Sequence, residues 1–195
     1  MASRVALADR ATTRDGRLAL WRAAEGALYL GIATAIVLTA VWFIHPSSSD
    51  GGTFDSVADW VFTGNGVPFG IAPLVLLWAL LALHGDRVGR MATIGVVLAS
   101  VSLAVLIVML AASVAAAEEV QIGPMYPLAT LGSIVGIALF CFDAARARLL
   151  PRAALWLWVA GWTFGGMLGP KGSQLLLAAA YAVLAVQVRR RVRAD

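Results

Sequence analysis

Apolar residues occur along this chain in long runs, separated by short polar stretches that carry most of the charge. A helical run of about 20 apolar residues crosses a hydrocarbon core of about 30 Å. Six runs approach or exceed that length, at residues 24–44, 67–83, 91–117, 125–142, 151–168 and 173–188. The pattern therefore predicts an all-α, polytopic membrane protein, a bundle of six transmembrane helices.

Three of these runs depart from the length or the separation of a simple span. The run at residues 91–117 is longer than a span requires, so we expect that helix to tilt or to extend beyond the bilayer. The last two runs together are too long for one span, and the Gly-Pro-Lys-Gly sequence at residues 169–172 is a strong turn signal. We therefore predict two separate spans here, with Pro151 in the first turn of the fifth.

The longest connection, residues 46–66, contains a shorter helical pattern. Four apolar residues recur there at positions i, i+3, i+4 and i+7, namely Phe54, Val57, Ala58 and Val61. With Thr53 as the N-cap and Trp60 at the membrane–water boundary, the pattern predicts a short interfacial helix in the first outer loop. The Gly-Asn-Gly sequence at residues 64–66 predicts a turn that leads into the second span.

Composition limits the classes of protein to which the chain belongs. Hydrophobic residues make up 61% of its 195 residues, charged residues 13%, and the mean hydropathy is +0.84. Soluble domains average about 45–50% apolar and about 25% charged residues. A chain of this size cannot hide such an excess in a water-soluble core. These values exclude a soluble enzyme or a nucleic-acid-binding domain, and they make the lipid bilayer the first expected partner.

The basic residues indicate an orientation. Fourteen of the 15 cationic residues are arginines, and with six spans all of them fall on one side, while Lys171 falls on the other. The positive-inside rule makes the arginine side cytoplasmic. We therefore predict that the Arg-rich segments 1–23 and 189–195 are cytoplasmic and flank a membrane domain at residues 24–188. The abundance of Ala, Gly and Arg is typical of GC-rich bacterial coding, so we expect a bacterial cytoplasmic membrane.

Ionisable residues are almost absent from the predicted spans. Glu25 is the nearest case, and we expect it to form an interfacial ion pair with Arg22 on the same helix face. The opposite side carries a weak candidate cation site, because carboxylate oxygens suit hard cations. Its residues are His45, Asp50, Asp55, Asp59, Glu118 and Glu119. Their spacing matches no metal motif, and His84 lies on the other side of the membrane. The sequence therefore predicts neither a resident metal nor a cofactor.

Glycines spaced four apart give two predicted spans a flat face, on which a neighbouring helix can approach closely. These residues are Gly132 and Gly136 in the fourth span and Gly161, Gly165 and Gly169 in the fifth. They indicate either packing of spans four to six within the chain or an interface with a second copy or a membrane partner. Trp162 lies near mid-membrane, where its indole N–H needs a polar partner. Polar residues available for such contacts, or for lining a small pocket, are Thr130, Ser133, Gln174 and Tyr181.

Signatures of membrane enzymes are missing from the sequence. There is no His-Glu-x-x-His, no Gly-x-Ser-x-Gly and, since Cys141 is the single cysteine, no Cys-x-x-Cys. We therefore expect a non-enzymatic membrane protein that binds a partner subunit, a lipid or a small apolar ligand. The alternative is a small transporter or channel for an uncharged solute. A third and weaker hypothesis is a membrane enzyme that uses the outer acidic residues.

Overall fold

The computed structural model describes residues 2–45, 52–84, 87–120, 122–168 and 172–193, with side chains from residue 15 onward. This part of the chain forms six α-helices and one π-helix. They are α1 (Ala2–Ile44), α2 (Val57–His84), α3 (Arg90–Ala116), α4 (Met125–Arg146), α5 (Arg152–Ala160), the π-helix (Gly161–Met167) and α6 (Gln174–Val192). The prediction of an all-α fold is confirmed.

Four of these helices are long and apolar enough to cross a membrane: α1 over Asp15–Ile44, α2, α3 and α4. The long apolar helices that the hydropathy pattern predicted are therefore present in four of the six predicted spans. The remaining helical segments are shorter or more highly charged. The π-helix follows α5 without a break, and α6 carries three arginines in its last turn.

The helices form a closed ring in chain order. Each helix packs against the next one along the chain, and α6 packs against α1 to close the ring. The largest fully buried side chains face inward and include Trp21, Phe140, Trp158, Trp162 and Tyr181. Large apolar side chains are also exposed on the outer surface, for example Ile36, Val101, Val108 and Leu128. An apolar exterior around a packed interior suits hydrocarbon surroundings.

One end of the ring brings together connections that carry acidic residues. The N–H of Phe54 donates to the carbonyl of Ala117, and the N–H of Glu119 donates to the carbonyl of Gly52, both over 2.9 Å. These bonds join the α1–α2 connection to the α3–α4 connection. We call this the acidic end, since its described residues include Asp55, Asp59, Glu118 and Glu119.

The opposite end carries the described arginines. There the Nε of Arg189 in α6 lies 3.9 Å from the Oε1 of Glu25 in α1. The rings of Trp21 and His84 meet edge to face, with centroids 5.5 Å apart, so the end of α2 lies at the same level. We call this the arginine end. Together the two sets of contacts separate the acidic connections from the basic ones.

The prediction of a separate interfacial helix and a turn at residues 64–66 is wrong. Val57, Ala58, Val61 and residues 64–66 lie in the first turns of α2, which runs unbroken from Val57 to His84, whereas Phe54 precedes that helix. Its start is set by Ser56 and Asp59: the Ser56 N–H and hydroxyl donate to Asp59 Oδ2, over 2.9 and 2.8 Å, and the Asp59 N–H donates to Ser56 Oγ. This reciprocal capping box replaces Thr53 as the predicted N-cap.

The residues predicted to turn are held in the helix by tertiary contacts. The Asn65 side-chain amide donates to the carbonyl of Thr34 in α1, over 2.8 Å. A Cβ placed on Gly66 would lie 2.8 Å from Leu110 of α3. Glycine at this position therefore permits close helix packing, a function that local turn propensity does not reveal.

Other predicted helix bounds differ in extent. α3 starts and ends one residue earlier than the predicted span at 91–117. α4 continues beyond its predicted end to Arg146, and α6 continues to Val192. The fifth predicted helix starts after Pro151, as expected, but changes from α to π at Gly161. The predicted turn residues 169–171, and therefore Gly169, lie outside the described part of the chain.

Candidate functional site

Trp162 lies at the centre of the ring and joins three of its elements. Its side chain, supplied by the π-helix, is fully buried. The indole stacks on Phe69 of α2, with ring centroids 5.4 Å apart and an interplanar angle of 18°. Its Nε1–H donates to the hydroxyl of Ser133 in α4 over 3.1 Å. This bond supplies the partner that the sequence required for a mid-membrane tryptophan.

Ser133 is fully satisfied by this arrangement. Its hydroxyl donates to the carbonyl of Thr130 one turn earlier in α4, over 2.8 Å, and accepts from Trp162. A hydroxyl that both donates and accepts has a defined orientation. The position of the indole is therefore determined by stacking on one side and by a directed hydrogen bond on the other.

The π-helix carries Trp162 into this position and packs tightly on α6. A Cβ on Gly161 would lie 2.8 Å from Cβ of Ala180, and a Cβ on Gly165 would lie 2.7 Å from the backbone N of Leu177. The two glycines therefore let the backbones of the π-helix and α6 touch. Short π-helical segments are often found at functional sites, and this one places Trp162 in the bundle interior.

Several buried polar atoms of α4, α5 and α6 form no well-aligned hydrogen bond with a described residue. They include Thr130 Oγ1 in α4 and Gln174 Oε1 in the first turn of α6. Trp158 Nε1 and the Tyr181 hydroxyl also form no well-aligned hydrogen bond, although their rings are neighbours with centroids 6.4 Å apart. An unsatisfied buried polar group costs about 1–3 kcal/mol. These atoms are the groups in the bundle interior best suited to receive a ligand.

The glycines of the fourth predicted span pack against α3 of the same chain. A Cβ on Gly136 would lie 2.5 Å from the backbone N of Ala99 and 2.6 Å from the carbonyl O of Gly95. A Cβ on Gly132 would overlap the Ser102 hydroxyl. Both glycine-bearing helices thus use their flat faces inside the ring. Gly95 was not singled out from the sequence, because its significance depends on the glycine it faces.

The acidic residues of the opposite loops are used in other ways. Asp59 accepts the capping hydrogen bonds of α2, and Glu118 pairs with Thr53 in an isolated antiparallel bridge. Asp50 lies outside the described residues. In the part of the chain that the structure describes, no three His, Cys, Asp or Glu side chains are grouped so that they could hold a metal ion. We therefore do not propose the cation site that includes His45, Asp55 and Glu119.

The arginine end contains two carboxylates with specific partners. Glu25 accepts from the Tyr29 hydroxyl over 3.2 Å and pairs with Arg189 of α6, not with Arg22 as predicted. Asp143 of α4 accepts from the backbone N–H of Ala92 in the first turn of α3 over 3.1 Å, and the same N–H also donates to the carbonyl of Gly89 over 3.2 Å. The sequence did not identify Asp143, because no local signal shows which helix end adjoins it.

The chain was compared with models of protein families, with characterised proteins and with solved structures, and none of the three comparisons found a match. No activity is therefore transferred from a relative. The features that bear on function are the buried site around Trp162 and the distribution of charge between the two ends of the ring.

Proposed function

We propose that the chain is an integral protein of the bacterial cytoplasmic membrane with six membrane-crossing segments and both termini on the cytoplasmic side. The separation of the acidic end from the arginine end supports this orientation, since arginines remain on the cytoplasmic side of a membrane. The ring order supports the count. Successive helices run from one end to the other, and α6 returns to the arginine end, where Arg189 meets Glu25.

Within that membrane domain, the protein acts by binding a small uncharged ligand at Trp162. One observation carries this proposal: Gln174 Oε1, and Thr130 Oγ1 beside the Tyr126 side chain, are buried without a well-formed hydrogen bond in the helices that surround the stacked, hydrogen-bonded indole. A ligand with a mostly apolar body and one or two polar groups would stack on aromatic surface and satisfy both atoms. Such a division, apolar walls with a few placed polar groups, is usual for small-molecule sites.

The packing favours a small ligand over a partner subunit. The glycine faces that could have received another chain contact α3 and α6 of this one, through Gly136 and Gly165. The side chains that surround Trp162, including Phe69 and Ser133, are uncharged, which is compatible with an uncharged ligand. Conduction of a solute has less support, because the buried Trp162 indole occupies the centre of the ring.

The proposal is tested by mass spectrometry of what the protein retains. The full chain is purified in a mild detergent and extracted with organic solvent, beside the double variant Thr130→Val with Gln174→Leu. Thr39→Val is the matched control, because Thr39 is also buried but its hydroxyl already donates to the carbonyl of Ala35 over 2.8 Å.

We expect a small molecule to remain with the wild type and with the Thr39 variant and to be lost from the double variant. Circular dichroism should show all three proteins folded, because Thr130 Oγ1 and Gln174 Oε1, which the double variant removes, form no well-aligned hydrogen bond with the protein. Retention of the same molecule by the double variant, or no retained molecule in the wild type, would show the proposal to be wrong.

A further inference from the structure

The corner between α4 and α5 carries three exposed arginines without acidic partners. They are Arg146 in the last turn of α4, Arg148 in the connection and Arg152 at the start of α5. None of them forms an ion pair or a side-chain hydrogen bond with a residue that the structure describes. The nearby carboxylate of Asp143 is occupied by the first turn of α3. Elsewhere at this end Arg189 is paired with Glu25, whereas among the described residues of this corner three arginines stand against one carboxylate, that of Asp143.

Two exposed aromatic rings lie beside these arginines. The Arg146 guanidinium lies 5.7 Å from the ring centre of Phe142, and Arg152 and Trp156 are likewise four residues apart on one helix. Phe142 and Trp156 are 41% and 46% exposed. Because α4 runs towards the arginine end and α5 away from it, each ring lies one turn, about 5.4 Å, deeper along the helices than its arginine.

The backbone of the corner is adapted to present the middle arginine. Arg148 has φ +54°, in the left-handed region that favours glycine and that other residues rarely adopt. Its N–H donates to the carbonyl of Ala145. Leu149 and Leu150 are buried directly after it, which holds the corner against the bundle. A glycine would adopt this conformation with less strain. The arginine adds a third guanidinium group at a chain position between Arg146 and Arg152.

We propose that this corner, defined by Arg146, Arg148, Arg152, Phe142 and Trp156, binds the headgroup of an anionic phospholipid. The guanidinium groups contact the phosphate, since arginine is suited to bidentate hydrogen bonding with phosphate oxygens. The aromatic rings contact the glycerol and the upper acyl chains, the level at which Trp is enriched in membranes. An anionic lipid would contact the arginines through its phosphate and the deeper rings through its glycerol and acyl chains. A soluble acidic partner would leave the rings without contacts. Basic sites between helices on the cytoplasmic side are known to bind anionic lipid headgroups.

This inference is separate from the ligand site at Trp162 and requires only that α4 and α5 lie at a membrane surface. It is tested with the full chain in phosphatidylcholine vesicles that contain increasing amounts of dibrominated phosphatidylglycerol. Bromine quenches nearby tryptophans, and the difference between the wild type and Trp156→Phe isolates the quenching of Trp156. The same titration with dibrominated phosphatidylcholine measures contact with lipid that has no net charge.

The corner variant is Arg146→Gln, Arg148→Gln and Arg152→Gln. Its matched control, R190Q/R191Q/R193Q, removes the same charge from the same end of the protein. All these residues are exposed, so we expect both variants to fold with wild-type circular dichroism. An arginine near an anionic surface contributes a factor of about five in affinity. We therefore expect Trp156 to prefer the anionic lipid by at least about fivefold in the wild type and the control, and to lose that preference in the corner variant.

Three results would overturn the inference. Equal quenching by the two brominated lipids in the wild type would mean that the corner does not select anionic lipid and that its charge serves another partner. Equal loss of preference in the corner variant and the control would show an effect of net charge alone. Preference retained by the corner variant would show that these three arginines do not hold the anionic lipid near Trp156.

Discussion

Substitution of Gly136 by alanine tests a contact in which the backbones of α3 and α4 approach closely. The added Cβ would lie 2.5 Å from the Ala99 backbone N, 2.6 Å from the Gly95 carbonyl O and 2.8 Å from the Ala99 Cβ. Atoms in ordinary contact are about 3.5–4.0 Å apart, so the overlap is about 1 Å. Two of the three neighbours are backbone atoms, which no side-chain rotation can move. Helices α3 and α4 must therefore separate.

The expected free energy follows from two opposing effects. Overpacking of this kind costs about 1–3 kcal/mol, and we expect the upper part of that range because the obstacle is backbone. Alanine also gains about 1 kcal/mol over glycine in helix propensity. The net prediction for Gly136→Ala is a destabilisation of about 2 kcal/mol.

Gly26→Ala is the matched control. Gly26 is also within a helix, α1, but nothing lies within 4 Å of the position of its Cβ. Only the propensity effect applies there, so we expect a stabilisation of up to about 1 kcal/mol. The two alanine variants should therefore differ by about 3 kcal/mol.

The assay is equilibrium unfolding in mixed micelles, with the mole fraction of sodium dodecyl sulfate as the denaturing variable and tryptophan fluorescence as the signal. Light scattering on the same samples reports the oligomeric state. Equal free energies for the two variants would refute the argument that α3 and α4 meet at Gly136. Loss of an oligomer with unchanged unfolding would show instead that this glycine face binds a second copy.

Three further predictions use other contacts. Trp162→Phe and Ser133→Ala each remove the same hydrogen bond, so a double-mutant cycle in the unfolding assay should give a coupling of about 1 kcal/mol, and additive effects would contradict the bond. Ala117→Gly should raise the melting temperature, since Ala117 ends α3 with φ +54°, a conformation that glycine adopts at lower cost, by about 1 kcal/mol. The variant Glu118→Cys should react with an impermeant maleimide from outside intact cells, whereas Arg90→Cys should react only after lysis. The opposite result would refute the proposed orientation.

Sequence patterns identified the long apolar helices and the limits of α3 because these features depend on local properties. The length of an apolar run and the sites of its flanking charges are visible without knowledge of the neighbours. The same reasoning failed at residues 64–66, where a turn-forming sequence stays helical. There the Asn65 amide binds the Thr34 carbonyl and Gly66 admits Leu110. Tertiary contacts overcame a local preference of modest size.

The sequence by itself therefore determined what the chain is made of: apolar helices, their approximate ends, and the collection of arginines in connections that can lie on one side. The tertiary structure alone decided which helices meet. It brought Ser133 and Phe69 to the Trp162 indole and placed Arg189 beside Glu25. Glycine spacing and a mid-span indole indicate a capacity for close approach and a need for a hydrogen bond. The partner depends on the order of helices around the ring, which no local pattern encodes.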